Sequence, residues 1–162
     1  MLKQIYKQGD DLKAFALELK AAGKKVVFTN GVFDIIHRGH VEYLAESKSL
    51  GDALVVGMNS DASVKIIKGE KRPVVPEENR SFVLANLKPV DHVVIFDEDN
   101  PYNTIKAIMP DYLVKGADWA EDKIIGADIV KANGGEIKRI TFVENNSSTN
   151  IIDRIIELYC KK

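Results

Sequence analysis

The pattern of apolar and polar residues predicts strands that alternate with helices along the chain. Short apolar runs of the kind found in buried strands begin at Val26 and cover residues 53–58, 92–96, 112–114 and 136–142. Parallel strands joined by helices build an open sheet with helices on both faces. We therefore predict an α/β fold, a Rossmann-like doubly wound five-stranded parallel sheet, in a single domain over residues 1–162.

Capping and turn residues delimit the helices between these strands. The predicted helices lie between Asp11 and Gly23, from the turn at 38–40 to near Gly51, from Asp61 to Val64, over 77–87, from Pro101, over 124–132 and from Ser148. The last helix carries apolar residues at helical spacing, so we expect it to turn inward with Ile151, Ile152, Ile155 and Leu158. Segment 65–76 combines basic residues with a glycine and two prolines, and is either a solvated mobile loop or a substrate-binding loop.

Composition suits a soluble globular protein. The 162 residues are 45% hydrophobic and 29% charged, which is enough for a sizeable core. A net charge of -1, from 23 basic and 24 acidic side chains, gives no general attraction for nucleic acid or an anionic membrane. The single cysteine, Cys160, cannot form an internal disulfide, and no apolar run approaches the roughly 18 residues of a membrane span. We expect a cytoplasmic protein with neither nucleic acid nor membrane as a partner.

One stretch, residues 26–44, combines a strand, a tight loop and a helix start. Free N–H groups at a helix N-terminus stabilise an anion, and Gly39 lets a phosphate oxygen approach the backbone closely. His37 and His40 flank this turn. The sequence therefore predicts a phosphate site here; the alternative is that both histidines are ordinary loop and capping residues.

Polar segments follow four of the five predicted strands. Residues 31–40, 59–61, 115–119 and 145–149 come directly after the first, second, fourth and fifth strands. Ligands of open α/β sheets bind at the carboxyl ends of the strands, so we expect these segments to face one crevice. Neither a G-x-G-x-x-G nor a G-x-x-x-x-G-K-[ST] motif follows any strand, so a dinucleotide fingerprint and a P-loop are both excluded.

The motif H-x-G-H at 37–40, preceded by Gly31-Val32-Phe33-Asp34, resembles the signature of the nucleotidylyltransferase superfamily. The resemblance implies transfer of a nucleotidyl group from a nucleoside triphosphate to a phosphorylated acceptor, with pyrophosphate leaving. It assigns catalytic roles to His37, His40 and Lys68. The residues it assigns to the nucleotide are Asn30, Gly31, Val32, Phe33, Asp34, Gly39, Lys115, Gly116, Asp118, Trp119, Ser147, Ser148, Thr149 and Arg154.

Two further segments carry this resemblance. Residues 147–154, S-S-T-N-I-I-D-R, resemble the second signature, in which hydroxyls at a helix start and an arginine contact phosphate; the alternative is plain N-capping by Ser148 or Thr149. Lys115-Gly116-x-Asp118-Trp119 resembles the base-binding corner, where Trp119 either stacks near the base or closes the pocket. The implied cofactor is Mg²⁺, bound mainly through triphosphate oxygens, with no protein metal site. Asp34 either orders the H-x-G-H loop or helps to hold this ion.

Across residues 24–155 the resemblance is greatest to the adenylyltransferase module of bacterial ADP-heptose synthesis. It rests on the stretches FTNGVFDIIHRGHVEYL, MNSDAS, KGEKRPVVPEENR, PDYLVKGADW, KANGGEI and SSTNIIDRI. It implies transfer of AMP from ATP to heptose 1-phosphate, acceptor contacts from Arg72, Arg80 and Lys88, and a sugar kinase and phosphatase as separate proteins. It also implies a homodimer that pairs through residues 88–91.

Three alternatives remain open at this point. A cytidylyltransferase for glycerol 3-phosphate or a similar small phosphate differs only in its base and acceptor pockets, although the R-T-x-G-I found there is replaced by residues 142–146. A class I aminoacyl-tRNA synthetase carries a similar histidine motif, but this chain has no second lysine-rich loop pattern and no basic surface. A nucleotide-binding regulatory module without turnover is the non-enzymatic alternative.

Overall fold

A computed structural model describes residues 5–7, 9–141 and 147–160. Within these ranges, six strands form one sheet in the order β1-β4-β3-β2-β5-β6. Each neighbouring pair is parallel. The strands are β1 (Ile5–Lys7), β2 (Val26–Gly31), β3 (Ala53–Asn59), β4 (His92–Phe96), β5 (Tyr112–Gly116) and β6 (Glu136–Ile140).

Helices connect successive strands and cover both faces of the sheet. They are α1 (Leu12–Ala21), α2 (Arg38–Lys48), α3 (Asp61–Lys68), α4 (Glu77–Ala85), α5 (Tyr102–Ile108), α6 (Ala127–Ala132) and α7 (Ser148–Tyr159), with a 3-10 turn at Glu121–Lys123. In the described ranges, no helix has both the length and the apolar character needed to cross a lipid bilayer.

Alternate residues of the central strands enter two separate apolar layers. Val27 and Val56 pack with Tyr43 and Leu44 of α2 and Leu84 of α4 on one face. On the other face, strand residues such as Phe28 and Val55 pack with side chains of α1, α5 and α6. Because both faces are covered, the strands carry almost uninterrupted apolar runs, which is why the sequence predicts them. The doubly wound α/β fold is confirmed.

The sheet has one strand more than predicted. The five predicted strands are present as β2 to β6, and β1 pairs in parallel with β4 at the edge of the sheet. β1 is only three residues long and none of them is fully buried, so its sequence lacks the apolar run of a central strand. The predicted end of the last strand at Phe142 lies outside the described residues, and β6 ends at Ile140.

Two helix predictions differ from the structure. The helix predicted over 124–132 is interrupted, because Gly126 adopts φ +81° and α6 begins only after it. The inward face predicted for α7 is wrong: Ile151 and Ile152 are half-buried, and Ile155 and Leu158 are 48% and 54% exposed. Helical spacing predicts an apolar face but does not show that another element covers it.

The order of the strands places a crevice at β2. From β2 the chain proceeds to β3 and β4 on one side, and then returns to β5 on the other side of β2. The connections leaving the carboxyl ends of β2 and β5 therefore run in opposite directions, which opens the sheet edge between them to ligands. The sequence places its H-x-G-H turn after β2 and its K-G-x-D-W segment after β5.

Candidate active site

A cavity of about 430 Å³ opens at the carboxyl ends of β2, β3, β4 and β5. Its wall combines predicted site residues with others; it is lined by Asn30, Gly31, Val32, Phe33, His40, Tyr43, Asn59, Ile67, Lys68, Asp99, Asn100, Pro101, Lys115, Gly116, Trp119 and Ile125. A larger cavity, about 720 Å³, lies beside β1 and α4, and its wall contains none of the predicted site residues. The smaller cavity is therefore the candidate site.

His37 and His40 are stacked beside this cavity. Their ring centroids are 3.8 Å apart with an interplanar angle of 24°, and Phe33 lies against His40 at 5.2 Å. Burial and, to a smaller extent, the neighbouring His37 lower the pKa of His40 to about 4, and burial also lowers the pKa of His37. Both imidazoles are therefore neutral at pH 7 in the ligand-free protein. Within the described residues, neither buried Nδ1 atom has a hydrogen-bond partner.

The start of α2 has no side-chain cap. His37 occupies the N-cap position in an extended conformation, and no side chain accepts a hydrogen bond from the first turn. Side chains of Asp11, Ser60 and Ser147 do cap α1, α3 and α7. In this turn His40 N donates to His37 O at 3.0 Å, whereas the N–H groups of Arg38 and Gly39 have no acceptor among the described residues. These two groups remain available to an external acceptor, and an anion is the ligand that they favour.

The turn before α2 has an unusual backbone. Phe33 adopts φ +48°, in the left-handed region that few residues other than glycine occupy. A Cβ on Gly31 would lie only 3.1 Å from the Phe33 ring, so this turn requires glycine or a shift of that ring. The conformation stores strain, which proteins tolerate mostly at functional sites. It brings the Phe33 ring beneath His40.

Asp34 fixes the basic loop to this turn. Its buried carboxylate accepts hydrogen bonds from Arg72 Nε at 2.7 Å, Val75 N at 2.8 Å and Val74 N at 2.9 Å. Burial raises the pKa of Asp34, but the two backbone N–H groups and the Arg72 guanidinium outweigh that effect and hold the pKa below its ordinary value. The hydrogen bonds of Asp34 thus order residues 72–75, a role that the sequence did not predict, and the Nε of Arg72 is engaged in this ion pair.

Arg80 is completely buried, and four of its N–H groups are directed at the chain. It donates to Val75 O at 2.9 Å, Val32 O at 2.6 Å, Asn59 O at 2.9 Å and Asp61 Oδ1 at 2.7 Å. The side chain has no exposed surface. Direct contact with an acceptor phosphate is therefore not open to Arg80 in this conformation, and it instead ties the ends of β2 and β3 together.

The K-G-x-D-W segment forms the β5 side of the cavity. Lys115 Nζ donates to Asn30 Oδ1 at 2.5 Å and lies 5.8 Å from the centroid of the Trp119 ring. Burial lowers the pKa of Lys115 to about 8, although Asp118 acts in the opposite direction. Trp119 is 47% exposed and lines the cavity, whereas Asp118 is exposed outside it. Trp119 is thus placed where it can cover a bound ligand.

The start of α7 is attached to the H-x-G-H turn. Ser148 Oγ donates to Ile35 O at 3.1 Å and accepts from Ile35 N at 3.3 Å, and Ser147 caps the helix by accepting from Asn150 N. Thr149 is exposed. Arg154 pairs with Glu157 at 2.9 Å and, like the three hydroxyl residues, does not line the cavity. The structure therefore brings the hydroxyls next to the histidine turn without directing them into the cavity.

Lys68 and Lys88, two of the three predicted site lysines, lie at opposite ends of the sheet. Lys68, the last residue of α3, lines the cavity. Lys88 lies just before the amino end of β4. The nearby Asp91 accepts a hydrogen bond from Leu54 N, close to the amino end of β3, so this segment lies at the amino ends of the strands. Since the cavity is at the carboxyl ends, the structure does not bring Lys88 to the site where acceptor binding was expected.

Sequence analysis did not select several residues of the cavity wall. Asp99, Asn100 and Pro101 follow β4, and Ile125 follows the 3-10 turn. Asn59, which ends β3, lines the cavity and belongs to a segment that was predicted to face the crevice. A signal for the first three was present, because they stand just beyond the carboxyl end of a predicted strand. No group of three or more His, Cys, Asp or Glu side chains in the described ranges is arranged to hold a metal ion.

Comparison with known proteins identifies a family and several relatives. The model of the cytidylyltransferase-like family matches residues 28–154. The chain is 59% identical over 132 residues to "bifunctional protein HldE" of Campylobacter concisus, covering 82% of this chain and 27% of the relative. It is 53% identical over 140 residues to the protein of that name in Geobacter metallireducens, covering 86% and 29%. The chain thus spans less than a third of the length of these relatives.

Two crystal structures resemble this one. The first is described as a lipopolysaccharide core biosynthesis protein from Thermoplasma volcanium; it is 32% identical with a TM-score of 0.60, covering 76% of this chain and all of that one. The second, a protein of unknown function from Archaeoglobus fulgidus, is 20% identical with a TM-score of 0.56, covering 76% and 93%. The second likeness concerns the fold alone.

Proposed function

Because the chain belongs to the cytidylyltransferase-like family, we propose that it is a nucleotidyltransferase that transfers AMP from ATP to heptose 1-phosphate. The products are ADP-heptose and pyrophosphate. The observation that carries this proposal is the stacked pair His37 and His40 at the uncapped start of α2, beside a cavity that also exposes Lys68 and Lys115. The HldE relatives and the Thermoplasma protein described in terms of lipopolysaccharide core biosynthesis support a sugar acceptor.

The reaction does not need a nucleophile from the protein. An oxygen of the acceptor phosphate attacks the α-phosphorus of ATP, and the bond between that phosphorus and the oxygen bridging to the β-phosphate breaks as pyrophosphate leaves. The acceptor oxygen is already anionic, so the protein must hold two polyanions in line and stabilise the charge that develops on the phosphate oxygens. Donors and cations are sufficient for this task.

The N–H groups of Arg38 and Gly39 and the imidazoles of His37 and His40 are the proposed donors to the phosphates. The resemblance to the nucleotidylyltransferase signature implies that His40 contacts the α-phosphate and His37 the β- and γ-phosphates. A triphosphate next to His40 favours the protonated ring, which raises its low pKa and makes the ring a charged donor only when the substrate is bound. Lys68 and Lys115 add positive charge on the two sides of the turn.

The nucleoside is assigned to the β5 side of the cavity. Trp119 and Ile125 offer apolar surface to a base, and Lys115 is held by Asn30 beneath them. Mg²⁺ would be bound mainly through triphosphate oxygens, where it neutralises charge and orients the phosphates. Asp34 does not serve this ion, since its oxygens accept from three donors of the chain.

The proposed reaction requires a supply of heptose 1-phosphate. We propose that a sugar kinase activity and a phosphatase activity provide it in the cytoplasm, where ATP is available. We also propose a homodimer that pairs through residues 88–91, of which Lys88 is exposed and Val90 is buried within the chain.

Pyrophosphate release tests the function. We expect release when the purified protein receives ATP, Mg²⁺ and heptose 1-phosphate, and little release with CTP, GTP or UTP. His40→Ala should lower kcat by roughly two to three orders of magnitude, the usual loss for one preorganised donor. Arg38→Ala is the matched control, because its exposed side chain pairs with Glu42 outside the cavity wall; we expect it to stay within about twofold of wild type.

The family name keeps a cytidylyltransferase for glycerol 3-phosphate as a second candidate. Faster pyrophosphate release with CTP and glycerol 3-phosphate than with ATP and heptose 1-phosphate would establish that candidate instead. Binding of ATP without pyrophosphate release from any nucleotide and acceptor would identify a regulatory module.

A further inference from the structure

The cavity extends beyond the residues assigned so far to a wall at the carboxyl end of β4. Asp99, Asn100 and Pro101 form this wall, between β4 and the start of α5. In the sheet, β4 is separated from β2 by β3 and lies on the opposite side of β2 from β5. The base and the phosphates are assigned to β5 and β2, so the β4 side is left for the other substrate.

The exposed carboxylate of Asp99 is hydrogen-bonded to the neighbouring Asn100. Asn100 Nδ2 donates to Asp99 Oδ1 at 2.6 Å, and Asn100 Oδ1 accepts from Tyr102 N at 3.1 Å, at the first residue of α5. The Asn100 amide is thus anchored at both ends. Within the described part of the chain, Asp99 forms no ion pair and no further side-chain hydrogen bond, which leaves Oδ2 open to a ligand.

A carboxylate without a cationic partner is a poor neighbour for phosphate, because like charges repel at short range. The substrate group beside Asp99 should therefore be uncharged and should donate hydrogen bonds. Sugar hydroxyls have these properties, and a carboxylate oxygen forms strong hydrogen bonds with hydroxyl donors. Lys68 follows β3 and lines the same cavity as Asp99. With the acceptor phosphate held by Lys68, the sugar hydroxyls far from that phosphate are left for Asp99.

We propose that Asp99, oriented by Asn100, binds the distal hydroxyl groups of the acceptor sugar and thereby selects a heptose phosphate over a shorter sugar phosphate. This inference rests on the proposed function. It makes Asp99 a specificity-determining residue whose contribution is separate from that of the histidines.

The test compares Asp99→Asn with Asp97→Asn. Asp97 is exposed on the same loop and outside the cavity wall, so its variant removes an equal charge without touching the sugar. For Asp99→Asn we expect the KM for heptose 1-phosphate to rise roughly tenfold, the usual scale of a lost charge-assisted hydrogen bond, while the KM for ATP stays within about twofold. Mannose 1-phosphate lacks the terminal carbon and its hydroxyl, so the two variants should have similar KM values for it.

The preference for heptose over mannose 1-phosphate should accordingly fall in Asp99→Asn and persist in Asp97→Asn. An equal loss on both sugars would overturn the inference, as would a rise in the KM for ATP, which would place Asp99 at the nucleotide. A changed dependence on Mg²⁺ concentration would make Asp99 a metal ligand and would also overturn it. If wild type releases no pyrophosphate, the proposed function fails as well; if wild type is active and Asp99→Asn is unchanged, only this inference fails.

Discussion

At the scale of single residues, burial opposes positive charge on three side chains of the candidate site. His37 and His40 both have lowered pKa values because they are buried, and burial also lowers the pKa of Lys115. A buried cation without a partner is costly, whereas the same cation beside a polyphosphate is stabilised. The proposed binding of a triphosphate at this turn would therefore be coupled to protonation of the imidazoles.

The lowered pKa of Lys115 has a measurable consequence at alkaline pH. Its pKa of about 8 means that the free enzyme loses this charge as the pH rises through 8, so kcat/KM for ATP should fall above that value. Arginine stays protonated, so Lys115→Arg should show no such fall between about pH 7.5 and 9.5. Lys68→Arg is the control and should keep the fall. Identical pH profiles for wild type and Lys115→Arg would assign the titration to another group.

The sequence allows some residues of the site to be predicted and not others, for physical reasons. His37, His40 and Gly31 belong to a local strand, turn and helix start, so their spacing along the chain already determines their arrangement. The burial of Arg80 could not be predicted, because it depends on the carbonyl groups of Val32 and Asn59, which lie far from Arg80 in sequence. The sequence around Ser148 likewise does not reveal that its hydroxyl is hydrogen-bonded to Ile35.

At the scale of elements, the basic segment 65–76 is neither wholly helix nor wholly loop. Its first part is the last turn of α3, which ends at Lys68, and Asp34 holds the part near Val74. The mobile-loop alternative therefore does not describe residues 72–75, whose backbone and side-chain donors are bound by a buried carboxylate. Lys68, at the end of α3, lines the cavity.

Removing the charge of Asp34 should release this segment. Asp34→Asn loses a buried ion pair with Arg72, so we expect the free energy of unfolding in urea to fall by about 3 kcal/mol. Limited trypsin digestion under native conditions should then cleave after Lys68 and Lys71 faster than in wild type. Glu70→Gln removes a charge from an exposed position of the same segment and should digest like wild type. Unchanged digestion of Asp34→Asn would mean that other contacts hold the loop.

Element boundaries were predicted best where the sequence itself contains the stop signal. β4 was predicted at its observed bounds because, after His92, it is an apolar run that ends at the acidic Asp97. α3 is one turn longer than predicted, because the charge of residues 65–68 had favoured a loop there. Charge alone does not end a helix; Gly69, with φ +89°, does.

At the scale of the whole molecule, the site is a consequence of strand order. The neighbours of β2 are β3 and β5, so segments far apart in sequence meet around the H-x-G-H turn. The carboxyl-end rule predicts this convergence from a list of strands, without any knowledge of side-chain packing. The rule extends equally to the end of β4, and applying it there leads to Asp99 and Asn100.

The proposed dimer would form near the amino end of β4, at the end of the sheet opposite to the cavity. A two-fold interface repeats each substitution on both sides, so Lys88→Glu should weaken a dimer that pairs through residues 88–91. We expect wild type to sediment at twice the mass of one chain and Lys88→Glu to shift towards the monomer at the same concentration. Phe82→Ser, which removes a 65% exposed apolar side chain from α4 outside this segment, should remain dimeric. A wild-type monomer at all concentrations would end the proposal, and dissociation by Phe82→Ser alone would move the interface to α4.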